Sequence, residues 1–191
     1  MSPAQVGPAR VGPARVGPAR IAGGAALLSL LALSGCGWLG PSKPPPACPS
    51  AVILRPLANT AVFGAAGEAR PDNAAFYGLL SEVDRTCDYS GDTVKMTLDV
   101  IVVGQRGPAA HSDAVDLTYF VAVTGPGQQI LAKKPFSVHI AFDPDQVRAG
   151  VTDHIVETIP LSGHQGSDIS LLLGFQQTPE VVEFYKHFRG R

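Results

Sequence analysis

The sequence predicts an all-β domain, an antiparallel β-sandwich of about seven strands with a short C-terminal helix. Three observations predict it. Beyond Cys48, apolar residues recur with a period of two, the spacing that turns one face of a strand toward a core. Clusters of Gly, Pro, Asp and Ser separate these segments as turns separate strands. Only from Thr178 onward does the apolar spacing change to one that suits a helix.

Taken along the chain, weaker strands are expected at 52–54 and 75–89. Val94, Met96, Leu98, Val100 and Val102 then alternate with Lys95, Thr97, Asp99, Ile101 and Val103. The segment 117–124 is rich in aromatic and β-branched residues, which favour strands. Phe136, Val138, Ile140 and Phe142 form another alternating set, 152–159 a weaker strand, and Ile169, Leu171, Leu173 and Phe175 the last. Turns are expected at Ser90-Gly91-Asp92, 104–108, Gly125-Pro126-Gly127 and Asp143-Pro144-Asp145. Strands with one apolar face each stack in two sheets, the general architecture of immunoglobulin and fibronectin type III domains. The core Trp of the immunoglobulin family has no counterpart, since the single Trp, Trp38, precedes every strand.

At the C-terminus Thr178 caps, Pro179 suits the first helical turn and Glu180 complements the positive end of the helix dipole. Val181, Phe184 and Phe188 fall on one stripe, and Lys186, His187, Arg189 and Gly190 mark the end of the helix. A helix of two or three turns is expected to lie over the sandwich or its open end. The alternative use of the stripe is a docking surface for a partner.

The N-terminus carries an address. Residues 1–20 contain Arg10, Arg15 and Arg20 with no acid, and residues 21–33 are apolar or small. This apolar run is too short to span a bilayer as a helix, which takes about 20 residues, so 1–35 reads as a signal peptide removed on export. Its pentapeptide Val-Gly-Pro-Ala-Arg, present three times between residues 6 and 20, matches no solenoid period and is incompatible with a helix. A later translation start at one of its valines is an alternative reading.

Leu33, Ser34, Gly35 and Cys36 resemble the lipobox of bacterial lipoproteins. The resemblance implies that the Cys36 thiol takes a diacylglyceryl group, that the chain is cut before it, and that the new terminus is acylated, typically with palmitate. One acyl chain binds a membrane only reversibly; two or three make a durable anchor. Gly37, in the position where some bacteria use Asp to retain lipoproteins at the inner membrane, implies sorting to the outer membrane. Residues 36–47, with Pro41 and Pro44 to Pro46, then form a tether reaching about 30 Å in polyproline II conformation. Trp38 and Leu39 either rest in the lipid interface or form a short apolar stub.

The remaining domain, 48–191, contains Cys48 and Cys87, which in an exported chain pair as a disulfide. The leader takes three of 15 basic residues and no acid, leaving 12 against 16 and a net charge of −4 on the mature chain. That balance argues against a nucleic-acid partner. Arg106-Gly107-Pro108-Ala109, the run from Tyr119 to Val123, and Gly174-Phe175-Gln176-Gln177-Thr178-Pro179 resemble a group of uncharacterised Gram-negative lipoproteins. That resemblance implies location and a β-rich domain, and no activity.

Reactive groups do not converge in the sequence. His111, His139, His154, His164 and His187 have no metal-site spacing, so no metal and no cofactor are expected. No GxSxG elbow or phosphate-binding glycine loop occurs, and Ser162, His164 and Asp168 sit too close together for a triad and read as a polar hairpin loop. Asp143 and Asp145 lack the further ligands of a calcium loop. The expectation is a non-enzymatic, lipid-anchored module facing the periplasm. Its partners would be the membrane, through Cys36, and another envelope protein, through edge strands or loops. A periplasmic hydrolase and a carrier of small apolar ligands are the alternatives.

Overall fold

The computed structural model describes residues 46–64 and 68–188. The signal peptide, the lipobox residues Leu33, Ser34, Gly35 and Cys36, most of the tether, and Arg189 and Gly190 lie outside them. Eight strands and one helix follow in order: β1 (Ser50–Ile53), β2 (Asn59–Phe63), β3 (Ala74–Ser90), β4 (Thr93–Arg106), β5 (Ala114–Thr124), β6 (Ile130–Ala141), β7 (Arg148–Pro160), β8 (Ser170–Phe175) and α1 (Pro179–His187). They build two four-stranded sheets, ordered β1-β8-β5-β6 and β2-β3-β4-β7. All pairings are antiparallel except β1 with β8, which is parallel.

The core lies between the sheets, where the period-two pattern placed it. Val94, Met96, Leu98, Val100 and Val102 of β4 are each fully buried, facing Leu171, Leu173 and Phe175 of β8 and Leu117 and Tyr119 of β5. Fully burying one such aliphatic side chain contributes about 1.5–3 kcal/mol. Tyr119 brings a hydroxyl into this core and donates it to Asp153 Oδ2 at 2.7 Å. Burial, reinforced by the hydrogen bond and the negative charge of Asp153, pushes its phenol far above the usual tyrosine range.

Three expectations need correction. β2 is an eighth strand that shows no alternation: Thr60 and Ala61 are both buried, because α1 covers what would be its exposed side. The turn expected at 104–108 begins only at Gly107, since β4 continues through Arg106. A Cβ on Gly104 would stand 3.0 Å from the Phe142 ring, so this glycine serves packing. The loop 162–168 is polar as expected but is no hairpin. It carries the chain from β7 in one sheet to β8 in the other, stitched by Gly163 N donating to Asp92 Oδ1 and Gln165 N donating to Asp168 Oδ2.

The helix forms where its signals stand. Thr178 Oγ1 accepts from Val181 N, and the Thr178 hydroxyl beside Glu180 holds that carboxyl below the usual range. Its apolar stripe faces its own domain: Val181 and Phe184 are buried, Phe184 meets Phe63 edge-on at 5.2 Å, and Phe188 stacks on Phe184.

Candidate functional site

A sandwich of two open sheets has four strand edges, each a row of unpaired backbone groups unless something covers it. The β2 edge is covered by the C-terminal segment, and the edge strands β6 and β7 are joined by side chains. At the β2 edge, Tyr185 Oη donates to Thr60 O at 2.9 Å and Gln177 Nε2 donates to Asn59 O at 2.6 Å. Burial, with Tyr77 close by, pushes the Tyr185 phenol up to about 12. The edges of β6 and β7 close on each other. Lys134 Nζ donates to Glu157 Oε2 at 2.6 Å, and Tyr119, stacked on Phe136, holds Asp153 two residues before Ile155 on the same face of β7.

The β6–β7 seam makes a testable claim. Glu157 is only 8% exposed, so truncating Lys134 leaves a nearly buried carboxylate without its cation. Lys134→Ala is expected to cost about 1–3 kcal/mol in denaturant unfolding, and Glu157→Gln less, because it removes the charge that needs a partner.

The remaining flank is open. β3 has 17 residues, and β2 pairs only with its first part, from Ala74 to Leu79. Leu80 N still donates to Ala58 O at 2.8 Å. Beyond it, among the described residues, β3 pairs with β4 alone. Ser81 is the extra residue of a β-bulge, where the register against β4 steps between Leu80 and Glu82. The bulge shifts the facing of every later residue. Val83, Arg85, Cys87 and Tyr89 lie opposite Val100, Leu98, Met96 and Val94, on the core side, yet Arg85 stays exposed because the flank has no roof. A core-side charge of this kind deters indiscriminate edge pairing.

Opposite this part of β3 runs β1, paired on one side only with β8. Between them lies a cleft of about 570 Å³ with Ala51, Ile53, Leu80 and Val83 as apolar lining and Arg55 and Glu82 among its polar groups. One end is clamped by the Cys48–Cys87 disulfide, with Cα atoms 5.9 Å apart, and by Tyr89 Oη donating to Ala47 O. The other is formed by the tight turn 54–58, in which Leu57 N donates to Leu54 O. The disulfide expected from composition is therefore present and borders the cleft. A larger hollow, about 680 Å³, lies beside α1 over Phe184 and Phe188, with Glu68, Glu180, Glu183 and His187 as its titratable lining. It offers side chains only, whereas the β1–β3 flank offers backbone as well.

The histidines stay apart. His139 Nδ1 meets Asp116 Oδ1 at 2.8 Å on the outer face of one sheet, and His154 Nδ1 meets Asp99 Oδ1 at 2.6 Å on the outer face of the other. Both pairs are solvent-exposed on the outer sides of strands. The hydroxyl nearest in sequence to His139 on that face, Ser137 Oγ, is bonded to Thr118 Oγ1. Among the described residues, no three His, Cys, Asp or Glu side chains are grouped to hold a metal ion.

The bulge and the open flank were not foreseen from the sequence. The only trace of them is the break in alternation at Leu79-Leu80-Ser81-Glu82. Compared with protein families, curated proteins and solved structures, the chain matches none.

Proposed function

We propose that this protein is a lipid-anchored module of the bacterial cell envelope, held at the outer membrane and facing the periplasm, that binds an extended segment of another envelope protein. The segment adds to the free edge of β3 beyond Leu80, its side chains alternating between the cleft and solvent. The observation that carries this reading is the unpaired stretch of β3 beside an apolar cleft. The leader and lipobox support the location, and the net charge of −4 on the mature chain argues for a protein partner over nucleic acid. The His–Asp pairs on the outer faces are exposed and separate, and the concave grouping that the hydrolase alternative would use is the hollow beside α1, where His187 lies with Glu68, Glu180 and Glu183. Buried residues fill the centre of the space between the sheets, so a carrier would have to use the open cleft between β1 and β3.

The test is photocrosslinking in cells from benzoylphenylalanine placed at Ser81 or Glu82 on the flank, and at Thr158 on the outer face of β7 as the control. The expected result is one defined envelope protein crosslinked from the flank, absent from Thr158, and lost when Cys36→Ser releases the chain from the membrane. Equal adducts from all three positions, or none from the flank, would overturn the strand-addition reading. Absence of lipid on Cys36 would overturn the anchor.

A further inference from the structure

Strand registers place the start of β1, where the chain enters the domain, and a pair of adjacent exposed apolar side chains at the same end of the sandwich. Ser50 pairs with Ser170, Ser170 with Thr124, and Thr124 with Ile130, so one row crosses the whole sheet from β1 to β6. Three inter-strand steps of about 4.8 Å put Ile130 about 14 Å from Ser50, where the chain arrives from the tether. The hairpin loop 125–129 projects beyond that row. At its base Ile130 is 62% and Leu131 50% exposed, two adjacent large apolar residues on a segment of β6 that is exposed from Ile130 through Pro135. Leu131 leans over Gly125, and Lys133 follows with its amine 4.0 Å from the centre of the Phe120 ring. On the neighbouring turns Asp92 accepts from Gly163 N and Asp168 from Gln165 N, each keeping its negative charge.

We propose that this hairpin tip is a second membrane contact: Ile130 and Leu131 enter the headgroup interface beside the lipid anchor, and Lys133 meets lipid phosphate. The occupant is a lipid surface because of where the tether ends. A linker of about 30 Å at full polyproline II extension attaches at this end of the sandwich, so the end nearest the bilayer is the one carrying the exposed Ile–Leu pair. An apolar pair with a cation behind it is the chemistry that favours an interface over water. The contact fixes the orientation of the domain, with the β5–β6 hairpin down and the β1–β3 cleft beside the membrane. The inference rests on the anchor reading for its geometry and is tested separately from it.

Benzoylphenylalanine is placed singly at Ile130, at Leu131 and at Val147, which is 59% exposed at the opposite end of the sandwich. The full chain is expressed, irradiated in native membranes and analysed by mass spectrometry for phospholipid adducts, for acylation of Cys36 and for the Cys48–Cys87 bridge as the mark of a folded domain. Phospholipid adducts at Ile130 and Leu131, lost at Val147, are the expected result. Protein-only adducts at the tip, or phospholipid equally at all three positions, would overturn the proposal. An acylated Cys36 with no phospholipid at the tip sinks the tip and leaves the anchor. Phospholipid at the tip of a chain without acyl groups on Cys36 does the reverse, and absence of both sinks both.

Discussion

Replacing Cys48 and Cys87 together with serine is expected to lower the free energy of unfolding by about 4 kcal/mol, read from denaturant titration of the oxidised protein against the double variant. The bridge joins residues 39 apart in sequence, and the loop it closes contains all of β1 and β2 and most of β3. In the unfolded chain, that closure removes conformational freedom in proportion to the logarithm of loop length. In the folded chain, the residues leading into β1 have few other holds: the Tyr89–Ala47 hydrogen bond and a four-residue parallel pairing with β8. Gly166 packs against both, since a Cβ there would stand 1.9 Å from Tyr89 Oη and 2.3 Å from Ala47 O. Losing the bridge is therefore expected to free β1 first and widen the β1–β3 flank, with faster proteolysis near Ala47. A loss below about 1 kcal/mol would mean that β1 and Tyr89 secure this edge unaided.

Phe175→Ala is expected to cost about 3–5 kcal/mol, the range for emptying a buried aromatic site. Phe175 is 1% exposed and spans the gap between the sheets to reach Gly78 of β3. A Cβ on Gly78 would lie 2.7 Å from Leu117 Cδ1, 2.8 Å from Thr60 Cγ2 and 3.2 Å from Phe175 Cζ. Glycine at 78 and phenylalanine at 175 are thus complementary halves of one contact. Gly78→Ala alone is expected to destabilise by overpacking, by about 1–3 kcal/mol. In the Phe175→Ala background the same change should cost less, because Leu117 gains room to shift. Strict additivity of the two changes in a double-mutant cycle would refute the complementarity.

The legible parts of this structure are those where one local rule decides. Alternation in β4 and β8 predicts which side chains face the core, because a strand with one wet face admits no other register. Thr178, Pro179 and Glu180 announce α1 because helix ends leave unsatisfied backbone N–H groups that only certain residues satisfy. The two cysteines of 48–191 announce their own pairing once the domain is expected to be exported. β2 was illegible because its second side is covered by α1, from more than a hundred residues away in sequence. The arches at 143–147 and 161–169 carry ordinary turn residues, and nothing local distinguishes a turn within a sheet from one that crosses between sheets.

The sequence by itself therefore determined an all-β sandwich with a filled core, its disulfide and its terminal helix, and raised the expectations of an export signal and of a lipid on Cys36. The fold follows from composition, periodicity and spacing along the chain, and the lipid expectation from the resemblance of 33–36 to a lipobox. Only the tertiary structure decided which strand edges are sealed and which stays open, and that Ser50 and Ile130 share one end of a sheet. Edges and ends are relations between segments distant in sequence. They depend on how long β3 runs past β2, on a one-residue bulge at Ser81, and on where α1 and Lys134 come to rest.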